Sequence, residues 1–249
     1  PAASGECCGF RNIFLQRLRN VGKGNALMGK LIVFEGTDGS GKSTQFSLLT
    51  KRLQAEGVEF RTMVFPQYSE PSSALIRMYL GGEFGAKPSD VNAYAASTFY
   101  AVDRYASYRK IWREYYQAGG LMLSDRYTTS NAVHQASKEP PERREEFFRW
   151  LEDFEYRRLE LPRPDIVLYL DVPTELTDQM LRKRENHTHT HADIHEQNMD
   201  YLRQCRAVGT DAARHYGWTV IQCAKDGKMR TIDDIHAEIY ARVKECLEG

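Results

Sequence analysis

The densest chemistry in the chain lies in eight residues, Gly36-Thr37-Asp38-Gly39-Ser40-Gly41-Lys42-Ser43, which fit the pattern G-x-x-x-x-G-K-[ST]. Glycines at these positions let successive backbone N–H groups turn inward around phosphate oxygens. The positive end of the helix that follows points at the same place. Lys42 supplies a mobile cation for the outer phosphates, and the hydroxyl of Ser43, followed by Thr44, is suited to ligate a magnesium ion carried by a nucleoside triphosphate such as ATP. The context the motif needs is present, with the apolar strand pattern Leu31-Ile32-Val33-Phe34 before it and a helical pattern after it.

A second candidate is Asp125, at the end of the apolar run Leu121-Met122-Leu123-Ser124. A carboxylate closing a strand sits at the sheet edge where ligands bind, and it can hold magnesium or its waters. An Asp in that place also serves as a helix cap. Beside it, Arg126 can fork onto phosphate oxygens. His187, His189, His191 and His195 alternate in a polar segment; they read as solvated side chains before they read as a metal site.

These groups must be carried by strands and helices that alternate along the chain. Strand patterns cover residues 30–35, 60–65, 121–125, 166–171 and 218–222. Helical patterns cover 42–56, 72–80, 91–118 (capped by Ser89 or Asp90), 141–160, 196–216 and 232–247, with a loop between Asp125 and Pro141. Alternation at this spacing predicts an α/β fold with a parallel sheet and helices on both faces, in three layers. Residues 1–28 differ in composition and read as an N-terminal tail outside the fold, with Met28 as a natural start. Residues 29–249 read as one domain.

Bulk properties remove several classes. The 249 residues suffice for a sizeable core, and 34 basic against 34 acidic residues leave no net field to recruit nucleic acid or an anionic membrane. No apolar run reaches the roughly 18 residues that span a bilayer. Five cysteines without a C-x-x-C pair argue against a disulfide framework or structural zinc, which points to reduced thiols in the cytoplasm. No N-K-x-D element occurs, which argues against a guanine-nucleotide switch.

Four segments together resemble the thymidylate kinases, a family of P-loop nucleoside monophosphate kinases. They are Phe34-Glu35-Gly36-Thr37-Asp38-Gly39-Ser40-Gly41-Lys42-Ser43-Thr44-Gln45, Phe65-Pro66-Gln67-Tyr68, Tyr100-Ala101-Val102-Asp103-Arg104-Tyr105 and Asp125-Arg126-Tyr127-Thr128-Thr129-Ser130-Asn131. The resemblance implies a P-loop NTPase-type fold with a small mobile lid, at about residues 182–197. It also implies magnesium-dependent phosphorylation of thymidine monophosphate by ATP, and a homodimer to which helix 91–118 contributes. Asp38 would lie near the acceptor sugar and the magnesium shell. Phe65 and Tyr68 would line the acceptor site, and Tyr100 and Arg104 would stack on the pyrimidine and donate to its O4. Arg126 would grip the acceptor phosphate, and Asn131 would sit by sugar and base.

With no arginine in the variable P-loop positions, a lid cation would meet transition-state charge, Arg184 first and Arg182 second. Two departures bear on affinity and sugar selectivity. Gln67 stands where many members carry Arg, and His134 where many carry an aromatic ring. A kinase for another nucleotide or a deoxynucleoside is the alternative enzyme; a non-catalytic nucleotide-binding module is the alternative from another class.

Overall fold

The computed structural model describes residues 28–177 and 199–248. Five parallel strands, β1 (Lys30–Glu35), β2 (Phe60–Val64), β3 (Leu121–Asp125), β4 (Ile166–Asp171) and β5 (Thr219–Gln222), form one sheet in the order β2-β3-β1-β4-β5. The helices are α1 (Lys42–Ala55), α2 (Ala74–Leu80), α3 (Ala93–Ser107), α4 (Arg113–Gln117), α5 (Thr128–Ser130), α6 (Pro141–Glu152), α7 (Met199–Tyr216) and α8 (Ile232–Glu248).

The period of two along each strand sorts its side chains onto opposite faces. Ile32 and Phe34 of β1 and Leu168 and Leu170 of β4 pack with Leu49 and Leu53 of α1 and Ile235, Ile239 and Val243 of α8. Leu31 and Val33 pack the other way, with Met122, onto Tyr108, Trp112 and Tyr116. Because both faces are covered, the central strands β1, β3 and β4 read as nearly unbroken apolar runs. Each such side chain, fully buried, contributes about 1.5–3 kcal/mol. This is the three-layer fold that the alternation predicts.

Register is what matters for the site. β1 and β3 pair with Phe34 opposite Asp125, and the Arg126 N–H continues the ladder to the Phe34 carbonyl at 3.1 Å. The residues that follow Phe34 and those that follow Asp125 therefore emerge side by side at the carboxyl edge of the sheet.

Several boundaries differ from the sequence reading, each for a physical reason. The helix expected over 91–118 is three pieces, α3, a π-helical turn Tyr108–Trp112, and α4. Its cap is Asn92, whose Oδ1 accepts from Ala95 N at 2.8 Å, whereas Ser89 and Asp90 belong to a separate 3-10 turn. The helix expected over 141–160 is α-helical only to Glu152 and continues as a π turn, Asp153–Arg158. The loop expected after Asp125 is helical: α5 runs into a π turn Asn131–Gln135 and a 3-10 turn Ala136–Lys138. A hairpin pairs Ala224–Lys225 with Lys228–Met229. Its turn, Asp226-Gly227, takes left-handed φ of 52° and 73°, the Asp-Gly signal of a tight hairpin, which the sequence reading passed over. Among the described residues no helix is long and apolar enough to cross a membrane.

Candidate active site

The turn from β1 into α1 builds the phosphate cradle. Gly36, Gly39 and Gly41 have φ of 150°, 77° and 86°, values that L side chains rarely adopt. At Gly36 a Cβ would also lie 2.8 Å from the Leu170 carbonyl and from Ser40 Oγ. Lys42 is buried, and its Nζ donates to the Gly36 and Thr37 carbonyls at 2.7 and 3.2 Å. Burial pushes its pKa down, and Arg126 adds to that, against the pull of Asp38, Glu35 and Asp125. Ser43 is exposed on the first turn of α1.

Asp125 ends β3 beside this cradle. Burial pushes its carboxyl above the usual range, more than Lys42 and Arg126 pull it down. Its Oδ1 is buried and meets no donor. An orphaned carboxylate oxygen in the field of the Lys42 ammonium, together with the exposed Ser43 hydroxyl that opens α1, is a donor set suited to magnesium and phosphates. Ser43 and Asp125 therefore fit the metal that the P-loop pattern calls for.

Arg126 follows at φ 68°, left-handed for a residue with a Cβ. Its guanidinium is ion-paired with Asp38 of the P-loop, lies 3.6 Å from Glu35 Oε1 and places Nη1 3.1 Å from His134 Nε2. An arginine can only donate, so His134 Nε2 accepts and the ring proton is on Nδ1, 3.1 Å from the Tyr201 hydroxyl. Glu35, fully buried, accepts from Gly36 N at 2.9 Å and from the Thr129 and Ser130 hydroxyls, both at 2.7 Å. Burial alone would raise its pKa, but the charges of Arg126 and Lys42 outweigh that and hold it below the ordinary value.

Next to the cradle opens a cleft of about 270 Å³, lined among others by Asp38, Phe65, Tyr68, Tyr100, Arg104, Arg126, Asn131 and His134. The fold thus brings together every acceptor-site residue expected from the sequence. Asp103 ties the segment after β2 to α3, accepting from Gln67 N at 2.8 Å and the Ser72 hydroxyl at 2.6 Å. The Gln67 side-chain oxygen has no donor. Lys138 also lines the cleft; its ammonium donates to the Tyr79 hydroxyl and the Val91 carbonyl, both at 2.9 Å, and burial brings its pKa down to about 8.

Arg104 needs a correction of surroundings. Its side chain is almost wholly buried and is ion-paired with buried Glu155, a partner that the sequence reading did not supply. Glu35, Glu155, Lys138 and Tyr201 are the site residues that sequence reasoning missed. Glu155 had a signal: it falls on the apolar stripe of Phe147, Phe148 and Leu151, where a carboxylate needs a partner. Arg182, Arg184, His187, His189, His191, His195 and the lid at about 182–197 lie outside the described residues. Among the described residues no group of three or more His, Cys, Asp or Glu could hold a metal by itself.

The chain matches the profile described as thymidylate kinase over residues 34–239. It is 32% identical over 190 residues to a thymidylate kinase of Mycobacterium tuberculosis, covering 76% of this chain and 87% of that one. To a probable thymidylate kinase of Pyrobaculum aerophilum it is 27% identical over 216 residues, covering 87% and 97%. A solved thymidylate kinase structure from Candida albicans superposes with a TM-score of 0.64 at 20% identity, covering 89% of this chain and 94% of that chain. That likeness concerns the fold alone.

Proposed function

The chain belongs to the thymidylate kinase family, and we infer from the cleft how its residues phosphorylate thymidine monophosphate with ATP and magnesium. The single observation that carries the assignment of roles is the junction of cradle and cleft. Arg126 and Asp38 border both, so an acceptor phosphate held at Arg126 lies next to phosphates held by Gly36, Thr37, Asp38, Gly39, Ser40, Gly41, Lys42, Ser43 and Thr44.

In direct transfer an acceptor phosphate oxygen forms a bond to the γ-phosphorus while the bond to the β–γ bridging oxygen breaks and ADP leaves. Magnesium supplies neutralisation of the triphosphate charge when bound, and Ser43 and Asp125 would hold it. The protein contributes position and charge. Lys42 and the inward-turned N–H groups meet the donor phosphates, and Arg126, fixed by Asp38, Glu35 and His134, meets the acceptor phosphate. Asp38 sits near the acceptor sugar. Phe65 and Tyr68 border the nucleotide, Tyr100 covers the pyrimidine, Arg104 donates to O4, and Asn131 stands by the base. Arg184, with Arg182 second, would supply the lid cation.

Three wider readings belong to the same proposal. Residues 29–249 form the catalytic domain, with 1–28 as an appendage. The protein acts as a homodimer through the outer face of α3 and the turn after it, where Val102, Tyr105 and Ile111 are exposed apolar side chains. It works in the cytoplasm. The deciding experiment is a panel of nucleoside monophosphates with ATP and magnesium, read by ADP release. Thymidine monophosphate is expected to lead, ahead of deoxyuridine monophosphate. A strong preference for a purine or cytidine monophosphate would sink the assignment of the cleft.

A further inference from the structure

Resting on the thymidine monophosphate reading of the cleft, we propose that Glu155 is the positioning residue for base selection: it holds the Asn131 amide in the one orientation that favours thymine over cytosine.

Glu155 touches the two polar side chains that face the pyrimidine. Its Oε2 accepts from Arg104 Nε at 2.9 Å, and its Oε1 accepts from Arg104 Nη2 and from Asn131 Nδ2, the latter at 3.0 Å. The other Asn131 N–H goes to the Ser97 carbonyl at 3.2 Å. A carboxylate and a carbonyl can only accept, so both contacts must be made by the NH2 group, and chemistry alone fixes which way the amide lies. Both N–H groups are then spent inside the protein. Oδ1 is the polar atom that Asn131 offers to the cleft it lines.

Arg104 is complementary. Glu155 and the Tyr127 carbonyl, at 3.4 Å, take three of its five N–H groups, so donors remain for the cleft. The wall therefore presents a donor beside an acceptor. Thymine meets it with O4, an acceptor, beside N3–H, a donor. Cytosine reverses the pattern, with an amino group beside an unprotonated N3.

Two features argue that the arrangement is kept for position and not for stability. A buried ion pair is often no better for stability than apolar side chains of the same volume. In addition, Asn131 and Glu155 both lie in π-helical turns, Asn131–Gln135 and Asp153–Arg158, a rare geometry that concentrates at functional sites.

Glu155→Gln tests this. Oε1 serves both Arg104 Nη2 and Asn131 Nδ2, so where the Gln NH2 takes that place it meets the Asn131 NH2, and the Asn131 amide must turn over and put N–H groups toward N3–H of thymine; where it takes the place of Oε2 it meets Arg104 Nε and displaces the guanidinium. The kcat/KM for thymidine monophosphate should fall about ten- to a hundredfold, the cost range of a buried group left unpaired. The ratio of thymidine to deoxycytidine monophosphate should narrow by a comparable factor, while the KM for ATP stays put. In an Asn131→Ala background the same Glu155 substitution should narrow the ratio by less than it does in the wild-type background, because one of the two groups it acts through is gone. An unchanged ratio in Glu155→Gln, or an equal additional change in Asn131→Ala, overturns the proposal. A wild type that does not prefer thymidine monophosphate would instead overturn the reading beneath it. Should Glu155→Gln fail to fold, the wild type still decides by NMR. The Asn131 side-chain NH2 protons should be protected from exchange before and after thymidine monophosphate binds, and free exchange in the unliganded protein would refute the tether.

Discussion

Arg126 and Asp38, 88 residues apart in sequence, are joined as an ion pair where β3 and the P-loop emerge side by side. The guanidinium assigned to the acceptor phosphate is thus tied to the loop assigned to the donor phosphates. Replacing Arg126 by Lys keeps the charge and loses the planar fork that reaches Asp38 and His134 together. Arg126→Lys should lower kcat/KM for the acceptor by about ten- to a hundredfold, the range of a hydrogen bond to a charged group, with a smaller change in KM for ATP. Initial rates with each substrate varied in turn check this, and an equal loss for both would place Arg126 elsewhere in the reaction.

The Lys42 ammonium donates to two loop carbonyls and so acts by charge at the cradle. Lys42→Ala should lower turnover by orders of magnitude while the protein still melts cooperatively. Near-normal turnover would remove Lys42 from the mechanism.

Asp125 gives a prediction with a sign in pH. Its folded pKa is raised by burial above the unfolded value, so the ionised carboxylate costs stability at neutral pH. As pH falls through the raised pKa, the folded state takes up the proton first and the cost is relieved. Asp125→Asn should therefore melt higher than wild type at pH 7.5, with the difference shrinking as pH falls, and should lose turnover by orders of magnitude. Thermal melts across pH, with an activity assay beside them, test both halves. A lower melting point for the variant at neutral pH would show that Asp125 is held by partners and not strained by burial.

Arg104→Ala leaves Glu155 buried without its cation, a change that typically costs about 3–5 kcal/mol. Its melting point should drop clearly, beyond what loss of a surface arginine would produce. In the protein that remains folded, kcat/KM for thymidine monophosphate should fall about ten- to a hundredfold and the advantage over deoxycytidine monophosphate should narrow. Denaturant melts and the two kcat/KM values are the measurements. An unchanged ratio would mean that Arg104 does not read the base.

Gly29 N already donates to the Tyr116 carbonyl at 2.8 Å and β1 starts at Lys30. Removal of residues 1–27 should accordingly leave activity and melting point nearly unchanged. A large loss in either would show that the tail belongs to the working domain.

The sequence by itself determined the sheet, the cradle and the chemistry. Unbroken apolar runs such as Leu31-Ile32-Val33-Phe34 reveal buried parallel strands, since a strand covered on both faces needs no polar side. The P-loop is local: glycines, lysine and serine act within one turn, so their spacing is their geometry. What tertiary structure decided is every relation between distant segments. The register of Phe34 with Asp125 sets the metal and phosphate groups side by side, and no spacing rule contains it. Glu155 looked like one charge among many on a charged helix. Its place on the apolar stripe of Phe147, Phe148 and Leu151 says that it needs a buried partner, and only the fold supplies one, an arginine 51 residues away. Asn131 stood in a segment that reads as loop, and its amide acquired an orientation only from partners at positions 97 and 155. Such roles arise from the pairing of buried polar groups, which is satisfied across the fold and leaves no periodic trace along the chain.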